Sequence, residues 1–442
     1  MKSHLLDDSQ MAAFVQTGVQ VVHSCLPEEV HGEIGAAVAD LCGGDKNPAN
    51  AIYNEVNGLR QVLECAAVAG ALQSLLGADY RLQCHRHAHV LPPSGSAGLP
   101  RAQRFHQDGT EREFEGWNRP WRRWHRPRKL NVFYYPHDVW LERGPTEVVA
   151  GSQYWGAFHA AFRTHSRPLI APAGTVALMH YNLWHRGTIN LCAEPRVMVK
   201  FVFERAAEPA GPSWAADPAF LPDFAGSGPL APLAATSQNI WSWLCGKREA
   251  VAPTEEAAIL WSRAVQARET ATTIAAAYEL ARHGGAAVAK VEKAFLGADP
   301  QARERAALVL SAAGEAALPL LERCLAADRG WLRATALDLL ADLGREGLGA
   351  QDRAARMIDD PCAWVRHNLM QALEIWGRDA AAHQEAALRG LEDEEPFVCF
   401  NAIGACLSMD LERELYKDQL VSLARHAHQK LAWKAREVLA AK

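Results

Sequence analysis

The chain has 442 residues, enough for two or three domains, and a formal net charge of −5. A slightly acidic chain gives no electrostatic reason to expect a nucleic acid or an anionic membrane as a partner. It has no run of about 18 apolar residues, no signal-peptide pattern and no C-x-x-C pair among its ten cysteines, so we expect a cytoplasmic protein without membrane spans, a zinc knuckle or a redox pair.

The N-terminal stretch combines helical and strand patterns. Apolar residues at spacings of three and four predict helices, and alternating or continuous apolar runs predict strands. We expect helical segments at Met11–Phe14, Pro27–Leu41 and Ala51–Leu76, and strands at Gly18–Ser24 and Tyr80–Leu91.

The strand at 80–91 has a polar face. Side chains two residues apart on a strand point the same way, so Gln83, His85, His87 and His89 lie on one side. If this side faces the inside of a barrel, one of them, with His87 as the candidate, contacts a bound ligand. A partly solvated sheet face would explain the same pattern.

A candidate metal site begins with His106 and Asp108, which follow a loop rich in Pro, Gly and Ser. On a strand both side chains reach the same face and can bind one ion. His185 would complete two nitrogens and one carboxylate, the facial triad of non-haem Fe(II) oxygenases. His180 competes for this role, but it has the opposite parity on a strand, and the Trp-His-Arg-Gly context favours His185.

A candidate carboxylate clamp follows the triad. Arg196 lies eleven residues beyond His185 and offers a planar fork that binds a carboxylate through two hydrogen bonds. A metal triad followed by such a clamp suggests an Fe(II)/2-oxoglutarate dioxygenase.

A loop rich in tryptophan and arginine, Glu111–Lys129, follows the first two candidate ligands. Aromatic walls would exclude water from a reactive centre, and arginines would attract an anionic substrate. The composition also suits single-stranded nucleic acid, or a surface loop whose arginines extend over packed tryptophans. The candidate substrate residues of the loop are Trp117, Trp121, Arg122 and Arg123, and further cations are Arg112, Arg119, Arg126, Arg128 and Lys129.

The pattern of elements predicts the domain organisation. Alternating strands such as Lys129–Tyr135, joined by short turns, predict a double-stranded β-helix (jelly-roll) barrel with flanking helices. Pro, Ala, Gly and Ser dominate from 207 to 253, and helix formers dominate beyond Thr254. We therefore expect a barrel domain at 1–206, a linker at 207–253 and an all-α domain at 254–442.

The C-terminal part repeats itself. Arg303, Arg333 and Arg366 recur in similar helical segments at spacings of 30 and 33 residues, each after a turn that contains Asp. Helix pairs at this period resemble HEAT repeats, which bury their apolar faces by stacking. We expect a HEAT-like solenoid that acts as a scaffold, either for a partner or for closing the mouth of the barrel.

Several segments together resemble the phytanoyl-CoA dioxygenase (PhyH) family between Met11 and Glu204. They are the opening Met11–Val22, the segment Gly144–Gln153 and the strand Gly174–His185, with Asn190 and Arg196 in matching places. The resemblance implies Fe(II) on His106, Asp108 and His185, with 2-oxoglutarate and O2 as cosubstrates.

The resemblance also implies residues around the cosubstrate. Arg196 would pair with the distal carboxylate of 2-oxoglutarate, and Asn131 corresponds to a region where relatives hold that molecule. Many relatives have a Ser two residues after the last metal ligand, where this chain has Gly187, so either Thr188 or Thr175 would substitute or the cosubstrate would be held differently. Related halogenases have a small residue in place of Asp108, so the carboxylate argues against halogenation.

The sequence thus predicts a dioxygenase that hydroxylates an aliphatic carbon of a small, anionic or carrier-linked metabolite and releases succinate and CO2. Desaturation or cyclisation would use the same site. In one alternative the HEAT-like half recruits a protein substrate or carrier protein, as JmjC-type oxygenases would permit, although those usually bind 2-oxoglutarate with a lysine. In the other, the barrel is inactive and the chain is an adaptor.

Overall fold

The computed structural model describes residues 4–42, 48–93, 102–108, 125–225, 230, 233–247 and 252–440. In this part of the chain, strands occur only before residue 205, and the helices from Ala234 onward make up most of the rest. We call the described residues up to Glu204 the sheet domain, and those from Ala234 onward the helical region. None of the described helices combines the length and apolar character that a membrane crossing requires.

The sheet domain begins with helices that cover one face of its larger sheet. Asp7 starts α1 through a capping box with Gln10. The predicted helical segment 51–76 is divided into three helices, because the chain turns extended at Val56 and again at Cys65. The helices are α1 (Asp8–Thr17), α2 (Glu28–Leu41), α3 (Ile52–Glu55), α4 (Gly58–Glu64), α5 (Ala66–Leu76) and, between strands, α6 (Phe162–His165).

Two antiparallel sheets form the core of this domain. The larger has the order β1-β6-β3-β8-β2 and the smaller β5-β4-β7. Side chains such as Phe133, Met179 and Met198, on one face of the larger sheet, form a common apolar core with Val148 of the smaller sheet. The strands are β1 (Val19–His23), β2 (Arg81–Leu91), β3 (Lys129–Tyr135), β4 (Thr146–Val148), β5 (Arg167–Pro168), β6 (Thr175–His180), β7 (His185–Gly187) and β8 (Arg196–Glu204).

The helical region consists of successive helices joined by short turns. Its first helix, α7, lies within the predicted linker, and Trp241 on it packs against Trp214 with ring centroids 5.3 Å apart. The helices are α7 (Ala234–Leu244), α8 (Ala257–Gln266), α9 (Thr270–Ala281), α10 (Gly285–Leu296), α11 (Pro300–Ala313), α12 (Leu318–Cys324), α13 (Gly330–Leu343), α14 (Gln351–Ala355), α15 (Ala363–Trp376), α16 (Gln384–Gly390), α17 (Pro396–Ser408), α18 (Lys417–Leu423) and α19 (Gln429–Ala440).

The sequence recurrence has a structural counterpart. The guanidinium of Arg333 forms two bonds to the carboxylate of Asp360, with Nε 2.7 Å from Oδ2 and Nη2 2.8 Å from Oδ1. Arg366 binds Asp393 through the same atoms at 2.7 and 3.0 Å, again 27 residues further on. Each arginine therefore ties its helix to the turn that opens the next unit. An antiparallel β domain followed by an all-helical region is thus confirmed, whereas the jelly-roll and HEAT-like assignments stay predictions.

The two halves meet where helices of the helical region end. Nη1 of Arg81 donates to the carbonyl oxygens of Leu407 (2.6 Å) and Ser408 (3.0 Å), at the end of α17. Arg126 and Arg128 both donate to the carbonyl of Asp342 near the end of α13, at 2.7 and 3.1 Å. Helix C-termini carry unpaired carbonyls and a partial negative charge, which cations stabilise.

Lys129 adds an ion pair to this interdomain junction, which we define as Arg81, Arg126, Arg128 and Lys129 with their partners. Its ammonium lies 2.7 Å from Oε1 of Glu374 on α15. The last three cations of the Trp/Arg loop, Arg126, Arg128 and Lys129, therefore bind the helical region. Their charges are paired with groups of the helical region and are not available to attract a substrate.

Substitution of Gly344 by alanine is expected to lower the free energy of unfolding by about 2–4 kcal/mol. Gly344 ends α13 with φ at +62°, and a Cβ there would overlap the carboxylate of Glu208, which lies 2.7 Å from Nε of Arg128 in the junction. Urea denaturation followed by circular dichroism measures the change. Gly349→Ala is the control, because a Cβ at that position meets open space. Equal stability of the two variants would show that a Cβ at position 344 is tolerated despite its short distance to Glu208.

Candidate metal centre

His106, Asp108 and His185 come together where a short loop segment pairs with β7. His106 and His185 form an antiparallel bridge in which each N–H donates to the other's carbonyl, with N···O distances of 3.0 Å. The intervening Gln107 points the opposite way and donates to the buried carbonyls of Trp155 and Asn182. This alternation places His106 and Asp108 on one side, and one ligand atom from each of the three residues lies within 4.8 Å of the others.

Main-chain carbonyls fix both imidazole rings. Nδ1 of His106 donates to the carbonyl of Arg104 and Nδ1 of His185 to that of Leu183, both at 2.9 Å. The ring centroids are 4.5 Å apart. A donor bond from one ring nitrogen leaves the other as the metal ligand and sets the ring orientation. Nε2 of both histidines is therefore the nitrogen left free to bind a metal.

The protonation states also fit a metal ion. Burial lowers the pKa of His185 to about 4, so its ring is neutral near pH 7. Burial by itself would raise the pKa of Asp108, but the positive charge of Lys200 beside it outweighs burial and holds that pKa below its usual range. Metal ligands must be deprotonated to bind.

The donor set supports the same assignment. Oδ2 of Asp108 lies 2.8 Å from Nζ of Lys200 and 3.5 Å from Nε2 of His185, so a cation already balances its charge in the metal-free protein. Two imidazoles and one carboxylate with open positions are the donor set that non-haem Fe(II) uses.

Arg196 lies on β8 and is almost completely buried. Its Nε donates to the carbonyl of Gly144 at 3.0 Å, and Nη1 lies 3.5 Å from the carbonyl oxygen of His89. A Cβ added to Gly187 would lie 3.7 Å from Nη2, so this edge of the guanidinium is beside the strand that begins with His185. The predicted clamp therefore lies on a buried strand, beside the strand that begins with His185.

The other residues predicted to hold 2-oxoglutarate differ in whether their polar atoms are already hydrogen-bonded. Asn131 on β3 is fully buried, and its Oδ1 has no hydrogen-bond partner among the described residues. The hydroxyl of Thr188 already donates to the carbonyl of Pro145 at 2.7 Å, and that of Thr175 to Pro172 at 2.7 Å. Trp117, Trp121, Arg122 and Arg123 lie outside the described residues.

His180 does not join the ligand group. Its Nε2 is bonded to the carbonyl of His125 at 3.1 Å, and its Nδ1 accepts from the amide of Asn182 at 3.1 Å. Both ring nitrogens are therefore occupied by the main chain, which makes His180 a buried structural residue.

The structure adds Lys200, which the sequence reasoning missed. It lies on β8, and its register partner on β2 is His87. His85 and His89 are close enough that the charges of Lys200 and Asp108 affect them, while burial lowers their pKa values to about 4 and about 3. The signal was available in the sequence, since Arg196, Met198 and Lys200 share one face of a strand by alternation.

A residue of the helical region contacts His85. The ring of Trp433 on α19 packs edge-on against His85, with ring centroids 6.1 Å apart. His85 in turn lies within the electrostatic reach of Asp108 and Lys200. The helical region therefore contributes an aromatic side chain next to the candidate site.

Comparison with known proteins identifies one family. The phytanoyl-CoA dioxygenase (PhyH) family matches residues 43–198, which include His106, Asp108, His185 and Arg196. No curated protein matches the chain.

Among solved structures, the chain is similar to the non-heme alpha ketoglutarate dependent epimerase SnoN from nogalamycin biosynthesis, with 18% identity, 45% of this chain and 83% of that chain covered, and a TM-score of 0.37. It is also similar to EctD from S. alaskensis with bound Fe, with 19% identity, 46% and 77% covered, and a TM-score of 0.36. The non-heme monooxygenase ThoJ, as its Ni complex, matches with 16% identity, 52% and 92% covered, and a TM-score of 0.34.

Proposed function

We propose that the phytanoyl-CoA dioxygenase-type domain of this chain makes it an Fe(II)- and 2-oxoglutarate-dependent oxygenase. The observation that supports this most is the group formed by His106, Asp108 and His185, with ligand atoms within 4.8 Å of one another. Its histidines are fixed through Nδ1, which leaves Nε2 of each ring free to bind a metal. The match of residues 43–198 to the family includes all three.

The residues have separate roles in this proposal. The triad would hold Fe(II), which with 2-oxoglutarate and O2 supplies the oxidation of an aliphatic C–H bond coupled to release of succinate and CO2. Arg196 would bind the distal carboxylate of 2-oxoglutarate with two parallel hydrogen bonds and so fix its orientation. Asn131 offers a buried amide to the same molecule. The apolar core around Phe133 and Met198 would keep water from the reacting groups.

The proposed substrate is a small, anionic or carrier-linked metabolite, and hydroxylation is the proposed outcome, with desaturation or cyclisation as variants. Recruitment of a protein substrate by a HEAT-like half is the second candidate, because tandem helix pairs commonly present binding surfaces. The contact of Trp433 with His85 favours the first, since it places the helical region beside the site itself. A catalytically inactive adaptor would have no need of the complete ligand set.

The test is an anaerobic titration of the metal-free protein with Fe(II) and 2-oxoglutarate. We expect a visible metal-to-ligand charge-transfer band that requires both components, followed by succinate release when O2 is admitted with a substrate. Absence of the band, together with no binding of either component in calorimetry, would contradict the proposal and favour the adaptor. Modification of a partner protein instead of a free metabolite, detected by mass, would support the second candidate.

A further inference from the structure

We propose that Lys200, together with His87, forms a binding site for an anionic group of the substrate beside the metal centre. The inference rests on the proposed function and specifies its substrate class: a small metabolite that carries a carboxylate, phosphate or sulfate close to the carbon that reacts. It is carried by the position of Lys200, by the charge balance of the site and by a polar atom that lacks a partner.

The position of Lys200 separates it from the cosubstrate clamp. Arg196 and Lys200 lie on the same face of β8 with Met198 between them, and four residues of strand span about 13 Å. The guanidinium of Arg196 is beside Gly187, whereas Nζ of Lys200 lies 2.8 Å from Oδ2 of Asp108. The two cations thus contact different parts of the site, Arg196 beside Gly187 and Lys200 beside Asp108.

The charges of the loaded site leave Lys200 unmatched. The two charges of Fe(II) and the charge of Arg196 are balanced by Asp108 and the two carboxylates of 2-oxoglutarate. In the described part of the chain, Asp108 is the only carboxylate that forms an ion pair with Lys200, and it would then be bound to the metal. A buried ammonium without a counter-ion is strongly disfavoured. An anionic substrate would supply the missing charge.

His87 and Phe133 lie on either side of Lys200 and would contact the same substrate. His87 faces Lys200 in the register of β2 and β8, and its buried Nδ1 meets no described residue with hydrogen-bond geometry. On the other side the register partner of Lys200 is Phe133, whose ring packs edge-on against His185 with centroids 5.5 Å apart. An anion that accepts from Lys200 and His87 would therefore hold the rest of the substrate against an aromatic wall next to the metal ligand.

The experiment measures binding to protein loaded with Fe(II) and 2-oxoglutarate under argon. Calorimetric titrations use phenylacetate and inorganic phosphate as anionic probes, and phenylacetamide as the neutral counterpart of phenylacetate. We expect at least one anion to bind, and phenylacetamide to bind at least ~10-fold more weakly than phenylacetate. Lys200→Met should weaken the anion by about 10–100-fold, as expected for loss of a charge-assisted hydrogen bond.

Matched variants test whether the weaker anion binding of Lys200→Met is due to the lost charge. Lys200→Arg keeps the charge and should stay within about 3-fold of the wild type. Lys290→Met removes one charge from an exposed position on α10 and should change nothing. In Lys200→Met, affinity for Fe(II) should be unchanged or higher, because the ammonium that competes for Asp108 is gone. Thermal melting verifies that each variant folds.

Several results would overturn the inference while leaving the proposed function intact. They are equal anion binding in wild type and Lys200→Met, no anion binding to a wild type that binds Fe(II) and 2-oxoglutarate, or a loss of 2-oxoglutarate affinity as large as the loss of anion affinity. A fall in Fe(II) affinity of Lys200→Met would make Lys200 a positioning residue for Asp108 instead. Failure of the wild type to bind Fe(II) and 2-oxoglutarate would contradict the proposed function itself.

Discussion

Replacement of Asp108 by alanine is expected to lower the affinity for Fe(II) by more than ~100-fold and to abolish 2-oxoglutarate turnover, since loss of even an outer partner of a metal ligand costs about 10–100-fold. Asp108 is the only carboxylate of the candidate triad. Calorimetry with Fe(II) under argon measures the affinity. Asp40→Ala, which removes an exposed carboxylate from α2, is the control. Unchanged Fe(II) affinity would exclude the site.

The same substitution has a second consequence in the metal-free protein. Without Asp108 the ammonium of Lys200 has no ion-pair partner among the described residues, and its side chain is only 8% exposed. Loss of one partner from a buried pair costs about 3–5 kcal/mol. The variant should therefore unfold at lower urea concentration, and adding Lys200→Met should restore the stability without restoring Fe(II) binding. A double variant no more stable than Asp108→Ala would show that the two side chains do not interact.

Replacement of Arg196 by methionine is expected to weaken 2-oxoglutarate binding to the Fe(II)-loaded protein by about 100-fold, or about 2.7 kcal/mol. Two charge-assisted hydrogen bonds to the distal carboxylate would be lost. Arg196→Lys should recover only part of the affinity, because an ammonium cannot provide the parallel pair of donors. The charge-transfer band, titrated with 2-oxoglutarate under argon, measures both.

Binding of Fe(II) alone distinguishes a clamp from a structural residue. Arg196 also donates to the carbonyl of Gly144, so its removal could disturb the strand. If Arg196→Met binds Fe(II) like the wild type but needs far more 2-oxoglutarate, the guanidinium acts on the cosubstrate. If 2-oxoglutarate affinity changes by less than about 3-fold, the role of Arg196 lies in its bond to Gly144 instead.

The candidate metal ligands could be predicted because strand alternation alone determines the side on which His106 and Asp108 lie. The structure shows this alternation directly, with Gln107 turned to the interior between them. The choice of His185 as third ligand also needed the neighbouring Trp-His-Arg-Gly residues. Strand alternation showed only that His185 and His180 face opposite sides. Lys200 was missed because a single lysine in the middle of the apolar strand Arg196–Glu204 does not reveal its partner, and its position beside Asp108 depends on the tertiary packing.

The relation between the halves could not be predicted for a different reason. Main-chain carbonyls at helix ends bind Arg81, Arg126 and Arg128. Every residue has such a carbonyl, so the sequence does not indicate which one an arginine will bind. The side-chain pattern therefore made Arg126 and Arg128 look like part of a substrate-attracting loop. Recurrence of Arg333 and Arg366 was visible in the sequence, but their partners Asp360 and Asp393 became clear only from the stacking of successive units.

The interdomain junction affects how a shortened protein would behave. If the sheet domain were prepared without the helical region, Arg81, Arg126, Arg128 and Lys129 would lose the carbonyls and the carboxylate of Glu374 that they now bind. Glu204 would remain 3.4 Å from Arg81 and 3.8 Å from Lys129, so the cluster of cations at this end of the strands would be only partly neutralised. Such a fragment would attract polyanions through counter-ion release, and nucleic acid bound to it during purification would be a product of the truncation.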